Sequence, residues 1–401
     1  MNRILSINKS EDIIDEFQKI GVTSQGIKSM WQKANCIAMK LKNIKTGAAN
    51  IIKQNMLSLG GDAAVARGVV NGKVDRSDVI ILGSIQNIRL LQEKLLHQDV
   101  FEIPEICKSI NQLLKIEMDS QEKYLNVRGH ILSLNRTLIM GILNVSPDSF
   151  YDGGKYTTLD SAVNQIEKMI AEGADIIDIG GQSTRPYSKE ISPDEELSRV
   201  LPIVEKAIKK FDFPFSIDTY KSQVAKAALE VGVHMVNDIS ALRFDDKMAG
   251  TVAKFPDVPL VLMHIKGTPK DMQVNPIYDD VIEEILEYLT ESIKIATNSK
   301  IKERNIIIDP GLGFGKRLED NFKIIRRIEE FRCLGKPILL GCSNKSFIGK
   351  ILEAEIDQRL EGTLAINAYS ILNKVDIIRV HEVAPHKKLV RMLNHLKKGD
   401  R

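Results

Sequence analysis

One short phrase recurs eight times along the chain: an apolar run that ends on a polar residue or a glycine. The runs occupy residues 138–143, 175–179, 214–217, 234–236, 258–263, 306–308, 337–340 and 375–380. Such short, nearly unbroken apolar runs are expected of strands buried on both faces of a parallel sheet. Between them lie stretches of helical period, for example 159–172 and 195–210. Eight strands alternating with helices over about 260 residues predict an α/β chain folded as a (β/α)8 TIM barrel. A doubly wound open sheet uses the same units and is the alternative; strand number and length favour the barrel.

Residues 1–118 fall outside that count. They hold strand-like runs at 3–7, 36–41 and 79–83, and helical patterns at 11–19 behind Ser10, at 48–59 before Gly60-Gly61, and at 88–96. This predicts a small α+β domain over 1–118, ahead of a barrel domain over 119–401. The Gly60-Gly61-Asp62 stretch matches neither GxGxxG nor a phosphate loop, so a helix stop and turn accounts for it better. Residues 102–114 read as a connecting helix and 119–123 as a linker. Residues 124–127 and 130–134, around Arg128-Gly129, read as a hairpin plugging the bottom of the barrel. The first domain carries no catalytic constellation; dimerisation, regulation or simple cover are the roles open to it.

Composition narrows the classes. With 401 residues, 43% hydrophobic and 27% charged, the chain is ordinary for a globular protein. A net charge of +3 and a pI near 8.4 are too small an imbalance to argue for nucleic acid. Cys36, Cys107, Cys333 and Cys342 are scattered without a CxxC pair, which indicates neither a zinc site nor a disulfide framework. No signal-peptide core and no run near ~20 apolar residues is present, so a cytoplasmic protein without a membrane partner is expected.

The chemistry is expected at the strand exits, because parallel α/β folds build sites at the carboxyl ends of their strands. Asn144 opens a polar loop, 144–154, too long for a minimal turn, and offers a neutral oxygen for Mg2+. The second exit, Gly180-Gly181-Gln182-Ser183-Thr184-Arg185-Pro186, is a flexible loop with a forked donor. Asp218, Asn237 and Asp309 together suit a heterocycle with adjacent N–H donors, such as an amino-pyrimidinone. The plainer account of Asp218 and Asp238 is that each caps a helix. Lys345 can reach into the mouth, and Ser346 sits near a helix start. Arg379 and His381 share one face of a strand and form an anion site fit for a leaving pyrophosphate.

Several of these stretches carry a resemblance. Met140-Gly141-Ile142-Leu143-Asn144-Val145-Ser146-Pro147-Asp148-Ser149-Phe150, Asp178-Ile179-Gly180-Gly181 through Pro186, Ser216-Ile217-Asp218-Thr219 and Val236-Asn237-Asp238-Ile239 together resemble the dihydropteroate synthases. So do Leu262-Met263-His264, Lys266-Gly267-Thr268-Pro269, Asp309-Pro310-Gly311 to Lys316, Gly341 to Gly349, and Arg379-Val380-His381. The resemblance runs from about Leu138 to the C-terminus, with every motif in family order; the part before Ser120 is absent from shorter members.

The resemblance implies a barrel that joins (7,8-dihydropterin-6-yl)methyl diphosphate to 4-aminobenzoate, releasing pyrophosphate and 7,8-dihydropteroate, with Mg2+ as cofactor and a homodimer as the assembly. Carried over, Asp218, Asn237, Asp309 and Lys345 hold the pterin, with Met263 packed on it. Asn144 binds magnesium and diphosphate, and Arg379 with His381 binds the diphosphate. Thr184, Arg185, Pro186, Phe314 and Ser346 shape the 4-aminobenzoate pocket, and Asp148 steadies the reacting centre alongside Lys345, Arg379 and His381. The chain departs from the family pattern at Gln182, Cys342, Asn344, Glu382 and Tyr151, where the family usually has Glu, Thr, Arg, Asp and a smaller residue. These are loop positions that bear on 4-aminobenzoate and sulfonamide affinity more than on the reaction. A folate–corrinoid methyltransferase and a silent pterin-binding scaffold are the rival readings. The methyltransferase would not need the Asn144 loop, the Ser-Thr-Arg-Pro loop or the Arg-x-His pair, and a scaffold would be signalled by loss of Lys345, Asp309 or Arg379, all of which are present.

Overall fold

The structure is a computed structural model that describes residues 3, 5, 10–34, 36–118, 123–145, 158–184 and 188–398. The chain forms two compact units, Met1–Ser120 and Gln121–Arg401.

In the first unit, β1 (Cys36–Lys45), β2 (Asp62–Val65) and β3 (Arg76–Ser84) form an antiparallel sheet in the order β1-β3-β2. Along β3 the buried Ser77, Val79 and Ile81 alternate with the exposed Asp78, Ile80 and Leu82, so a single face is covered. Ile52 and Met56 of helix Thr46–Ser58, Ile88 and Leu91 of Ile85–Leu95, and Ile106 and Ile110 of Ile103–Met118 share one core with Val79 and Ile81. The second helix is launched by Ser84 and Asn87, each capping the other. After helix Thr46–Ser58 the chain stops as expected: Gly61 N–H returns to the Met56 carbonyl at 3.0 Å. The sheet itself differs from expectation. The strand predicted at 3–7 lies largely outside the described residues, the third strand is Asp62–Val65, and Ser24–Ala34 is a helix not foreseen.

The second unit begins with a hairpin, β4 (Tyr124–Val127) and β5 (His130–Ser133), turning through Arg128 and Gly129 at φ 48° and 104°. Eight parallel strands follow: β6 (Leu138–Asn144), β7 (Ile176–Gly180), β8 (Phe215–Asp218), β9 (Met235–Asp238), β10 (Leu260–Met263), β11 (Ile306–Asp309), β12 (Leu339–Leu340) and β13 (Ile377–Val380). They run in the order β11-β10-β9-β8-β7-β6-β13-β12, and a parallel bridge between Ile308 and Ile338 joins the two ends. The sheet therefore closes as the (β/α)8 TIM barrel expected. β12 is shorter than its apolar run because Pro337 has no N–H to give to a ladder.

Side-chain alternation sorts each strand. Ile139, Ile177, Ile217, Val236, Leu260, Ile308 and Ile378 point outward into the core under the helices. Leu138, Met140, Ile176, Met235, Val261, Ile307, Leu339 and Ile377 point inward and meet Leu125 and Val127 of the hairpin, which plugs the amino end of the barrel. The plug is fastened by Arg128, whose guanidinium donates to the carbonyls of Leu229 at 2.8 Å and Val233 at 2.7 Å. Helix Pro193–Lys210 shows how the outer layer is coded. Ser192 caps it, acids fill its first turn and Lys209 and Lys210 its last, and Val200, Ile203, Val204 and Ala207 face the barrel. Two residues beyond the inward apolar layer, the same faces of β7, β9, β11 and β13 turn polar.

Candidate active site

That polar layer is the mouth. Asp178 of β7, Asn237 of β9, Asp309 of β11 and Arg379 of β13 follow inward apolar residues by the strand period of two, and Asp218 of β8 follows the buried Ser216 in the same way. Arg379 ties the strands together: Nε donates to Asp178 Oδ2 at 2.6 Å and Nη2 to Asp218 Oδ2 at 2.7 Å. Asn237 Nδ2 donates to the same Asp178 oxygen at 2.9 Å. Burial pushes the Asp218 carboxyl up to about 7, with the charge of Arg379 pulling the other way. Burial likewise lifts Asp309 to about 6, against the Gly311 N–H that its Oδ1 accepts at 2.7 Å. The mouth thus holds carboxyls poised near neutral pH.

The helix-cap account separates Asp218 from Asp238. Asp238 accepts from Ser240 N, Ser240 Oγ and Leu242 N, and is a local loop brace. Helix Ser222–Val231 receives its first-turn carboxylate from Asp245, at 2.7 Å from Ser222 N, so Asp218 is not its cap.

The loop after β11 forms one wall. Gly311 and Gly315 have φ of 68° and 62°, and a Cβ on either would lie 2.0 Å from the His264 carbonyl oxygen or 2.3 Å from that of Lys266. Only glycine fits both the torsion and the close backbone. Gln273, Tyr278 and Lys316 donate to the carbonyls of Gly313, Gly315 and Phe314, which fixes the loop and the Phe314 ring. Phe314 packs with Ile239, Met263, Ile265 and Met272 as an apolar wall. The Lys345 ammonium stands 4.1 Å from the Phe314 ring centroid, brought down to about 8 by desolvation and then by the charge of Arg379.

At the rim, Asn144 is exposed at the end of β6, Thr184 is half-buried and Ser346 exposed. His381 Nδ1 lies 2.9 Å from Ser343 Oγ. Asp148, Tyr151, Arg185 and Pro186 lie outside the described residues. Asn144 offers one neutral oxygen, and among the described residues no group of three His, Cys, Asp or Glu could hold a metal. Cys342 belongs to the core outside the barrel, where its thiol meets Asn367 at 3.1 Å, and Asn344 donates to Glu382 at 3.3 Å.

Two arrangements carry no role in the sequence reading. Asp178 is the shared acceptor of Asn237 and Arg379; its signal was an acid inside an otherwise apolar run. The other is a brace for the second loop. Lys221 Nζ donates to Gln182 Oε1 at 2.6 Å, the Ile191 carbonyl at 2.7 Å and Glu196 at 2.7 Å, while Gln182 Nε2 donates to Tyr220 at 2.8 Å. Nothing in the order of residues announced that pairing.

Over residues 140–381 the chain matches the family described as pterin binding enzyme. The dihydropteroate synthase of Bacillus subtilis is 44% identical over 259 residues, 65% of this chain and 88% of that protein. The chain belongs to the dihydropteroate synthases. As such it is a transferase of folate biosynthesis. The solved structure of the Xanthomonas albilineans dihydropteroate synthase with 4-aminobenzoic acid superposes with a TM-score of 0.66 at 38% identity, covering 70% of this chain and 100% of that one. A probable bifunctional folylpolyglutamate synthase/dihydropteroate synthase of Halobacterium salinarum is 35% identical over 393 residues, 98% of this chain but 47% of its own length. That match takes in the first unit as well as the barrel.

Proposed function

We propose that the barrel condenses (7,8-dihydropterin-6-yl)methyl diphosphate with 4-aminobenzoate to give 7,8-dihydropteroate and pyrophosphate. The observation that carries this reading is the buried ring of Asp218, Asn237 and Asp309 beside the guanidinium of Arg379. An ionised carboxylate accepts two parallel N–H bonds, which matches the amino-pyrimidinone edge of a pterin and fixes its orientation. The pterin ring packs against the apolar wall that holds Met263 and Phe314, on the side of the mouth that bears Lys345. Arg379 and His381 receive the diphosphate, with Asn144 at the end of the neighbouring strand β6. Asn144, a neutral oxygen donor, would hold a magnesium ion, which would supply charge neutralisation on the leaving group when bound. The carbon–oxygen bond to the diphosphate breaks with its electron pair leaving on pyrophosphate, and the anionic mouth stabilises the positive pterin methyl carbon. The 4-aminobenzoate nitrogen then forms the new carbon–nitrogen bond and gives up a proton. Phe314, Ser346, Thr184, Arg185 and Pro186 form the pocket that aims it, and Asp148 steadies the reacting centre.

Two further parts of the reading have indirect support. Helix Leu360–Leu372 leaves Tyr369 and Leu372 exposed, and helix Ser346–Leu352 leaves Ile351 and Leu352 exposed, an apolar surface suited to a homodimer. Sedimentation of the double variant Tyr369→Glu, Leu372→Glu at half the wild-type mass is the expected outcome. The free thiols at Cys36, Cys107, Cys333 and Cys342 fit a reducing cytoplasm. The test of the reaction is pyrophosphate release by the purified chain with the pterin diphosphate, magnesium and 4-aminobenzoate. Release dependent on 4-aminobenzoate is expected; pterin binding without release would turn the reading to a methyl carrier or a scaffold.

A further inference from the structure

We propose that Asp178 is a positioning residue: it holds the Asn237 amide and the Arg379 guanidinium in the orientation that receives the pterin diphosphate. The proposal rests on the reaction assigned above.

Asp178 is fully buried on the inward face of β7, and a single oxygen, Oδ2, accepts from both Arg379 Nε and Asn237 Nδ2. A carboxylate can only accept, so Asn237 must turn its NH2 group toward Asp178 and its carbonyl oxygen away from it. An unconstrained amide has two orientations half a turn apart, and they present opposite hydrogen-bonding character to a ligand. Asp178 selects the one that leaves an acceptor for a ring N–H. Its effect on Arg379 is different. Arg379 is shared between Asp178 and Asp218. When Asp218 turns its oxygens to the pterin, the guanidinium loses that partner, and the Nε bond to Asp178 keeps the cation beside the leaving group. The geometry thus separates two duties: Asp218 changes partners, and Asp178 does not.

A purely structural carboxylate would be better satisfied. Among the described residues, Asp178 Oδ1 is buried without a hydrogen-bond partner, and so is Oγ of Ser216, its register neighbour on β8. A half-satisfied buried anion is a poor device for stability. The charged groups facing Asp218 are Arg379, Asp178, Glu196 and Lys345, and the negative charge of Asp178 helps to raise the Asp218 carboxyl.

The experiment is steady-state pyrophosphate release by Asp178→Asn and Asp178→Glu beside wild type, with both substrates varied, over a pH series and with thermal melts. For Asp178→Asn, the pterin diphosphate KM should rise about 10- to 100-fold, the loss expected for one charge-assisted bond. The aminobenzoate KM should stay unchanged. The acid limb of kcat/KM should move to lower pH, because Asp218 loses a like-charged neighbour. Asp178→Glu keeps the charge but displaces the acceptor, so the pterin diphosphate KM should rise without that pH shift. Equal rises in both KM values, or a lowered melting temperature with unchanged kinetics, would overturn the proposal. Should wild type itself release no pyrophosphate, the assigned reaction fails, and calorimetric binding of the pterin decides the rest: weaker binding by Asp178→Asn supports positioning, and equal binding overturns it.

Discussion

The two ends of the barrel are made from the same strands two residues apart. At the amino end Ile176, Met235, Ile307 and Ile377 face one another and the hairpin; at the carboxyl end their successors on the same faces are Asp178, Asn237, Asp309 and Arg379. The first layer contributes apolar burial, about 1.5–3 kcal/mol for each large side chain. The second costs desolvation and is kept because ligands need it. Stability and chemistry are thus stored at opposite ends of one sheet, which lets the mouth carry strained electrostatics over a sealed floor.

The largest expected effect is at the mouth. Asp309→Asn removes the charge from a carboxylate expected to accept two N–H bonds, each worth about 1.5–3 kcal/mol, so kcat/KM for the pterin diphosphate should fall on the order of 10²–10⁴-fold. Its melting temperature should equal or exceed that of wild type; a collapse on heating would erase the division between the ends. At the floor, Leu125→Ala should cost about 2–5 kcal/mol in urea unfolding while both KM values stay as they are. A changed pterin KM there would show that the plug reaches the chemistry. The smallest effect is on pH. Burial holds Asp218 at about 7 and Asp309 at about 6, above the ordinary value of 3.8, so at pH 6 pterin binding to the ionised forms should release protons, measured by calorimetry in two buffers. For stability the sign is opposite. A carboxyl with a raised folded pKa favours folding most when protonated, and that contribution is lost as pH rises through the folded value. Asp309→Asn should therefore melt above wild type at pH 8, and the gap should narrow below about pH 6 and close near the ordinary carboxyl value of 3.8.

The barrel was legible because each strand buried on both faces writes an unbroken apolar run, and each polar exit is a local break in it. Asp218, Asn237 and Asp309 could be read that way, since position along a strand fixes face and depth together. The β2 strand could not. Asp62-Ala63-Ala64-Val65 is short and alanine-rich behind a double glycine, and only pairing with β3 makes it a strand. The same limit hid the Asp178 partnership with Arg379, 201 residues away, because register between distant strands is not written in either one. The bond of Lys221 to Gln182 belongs to the same class: a loop brace whose partner is chosen by folding.

The joint between β11 and β12 gives the ring a preferred place to breathe. Elsewhere neighbouring strands share ladders, but here a bridge from Ile308 to Ile338 and a two-residue strand complete the circle. Asp309 stands on one side of that seam and Lys345 on the other, so a pterin held by both would act as a staple across it. Amide hydrogens flanking the seam should exchange soonest in the free protein and slow most when the pterin binds, making substrate part of the hoop that holds the barrel shut.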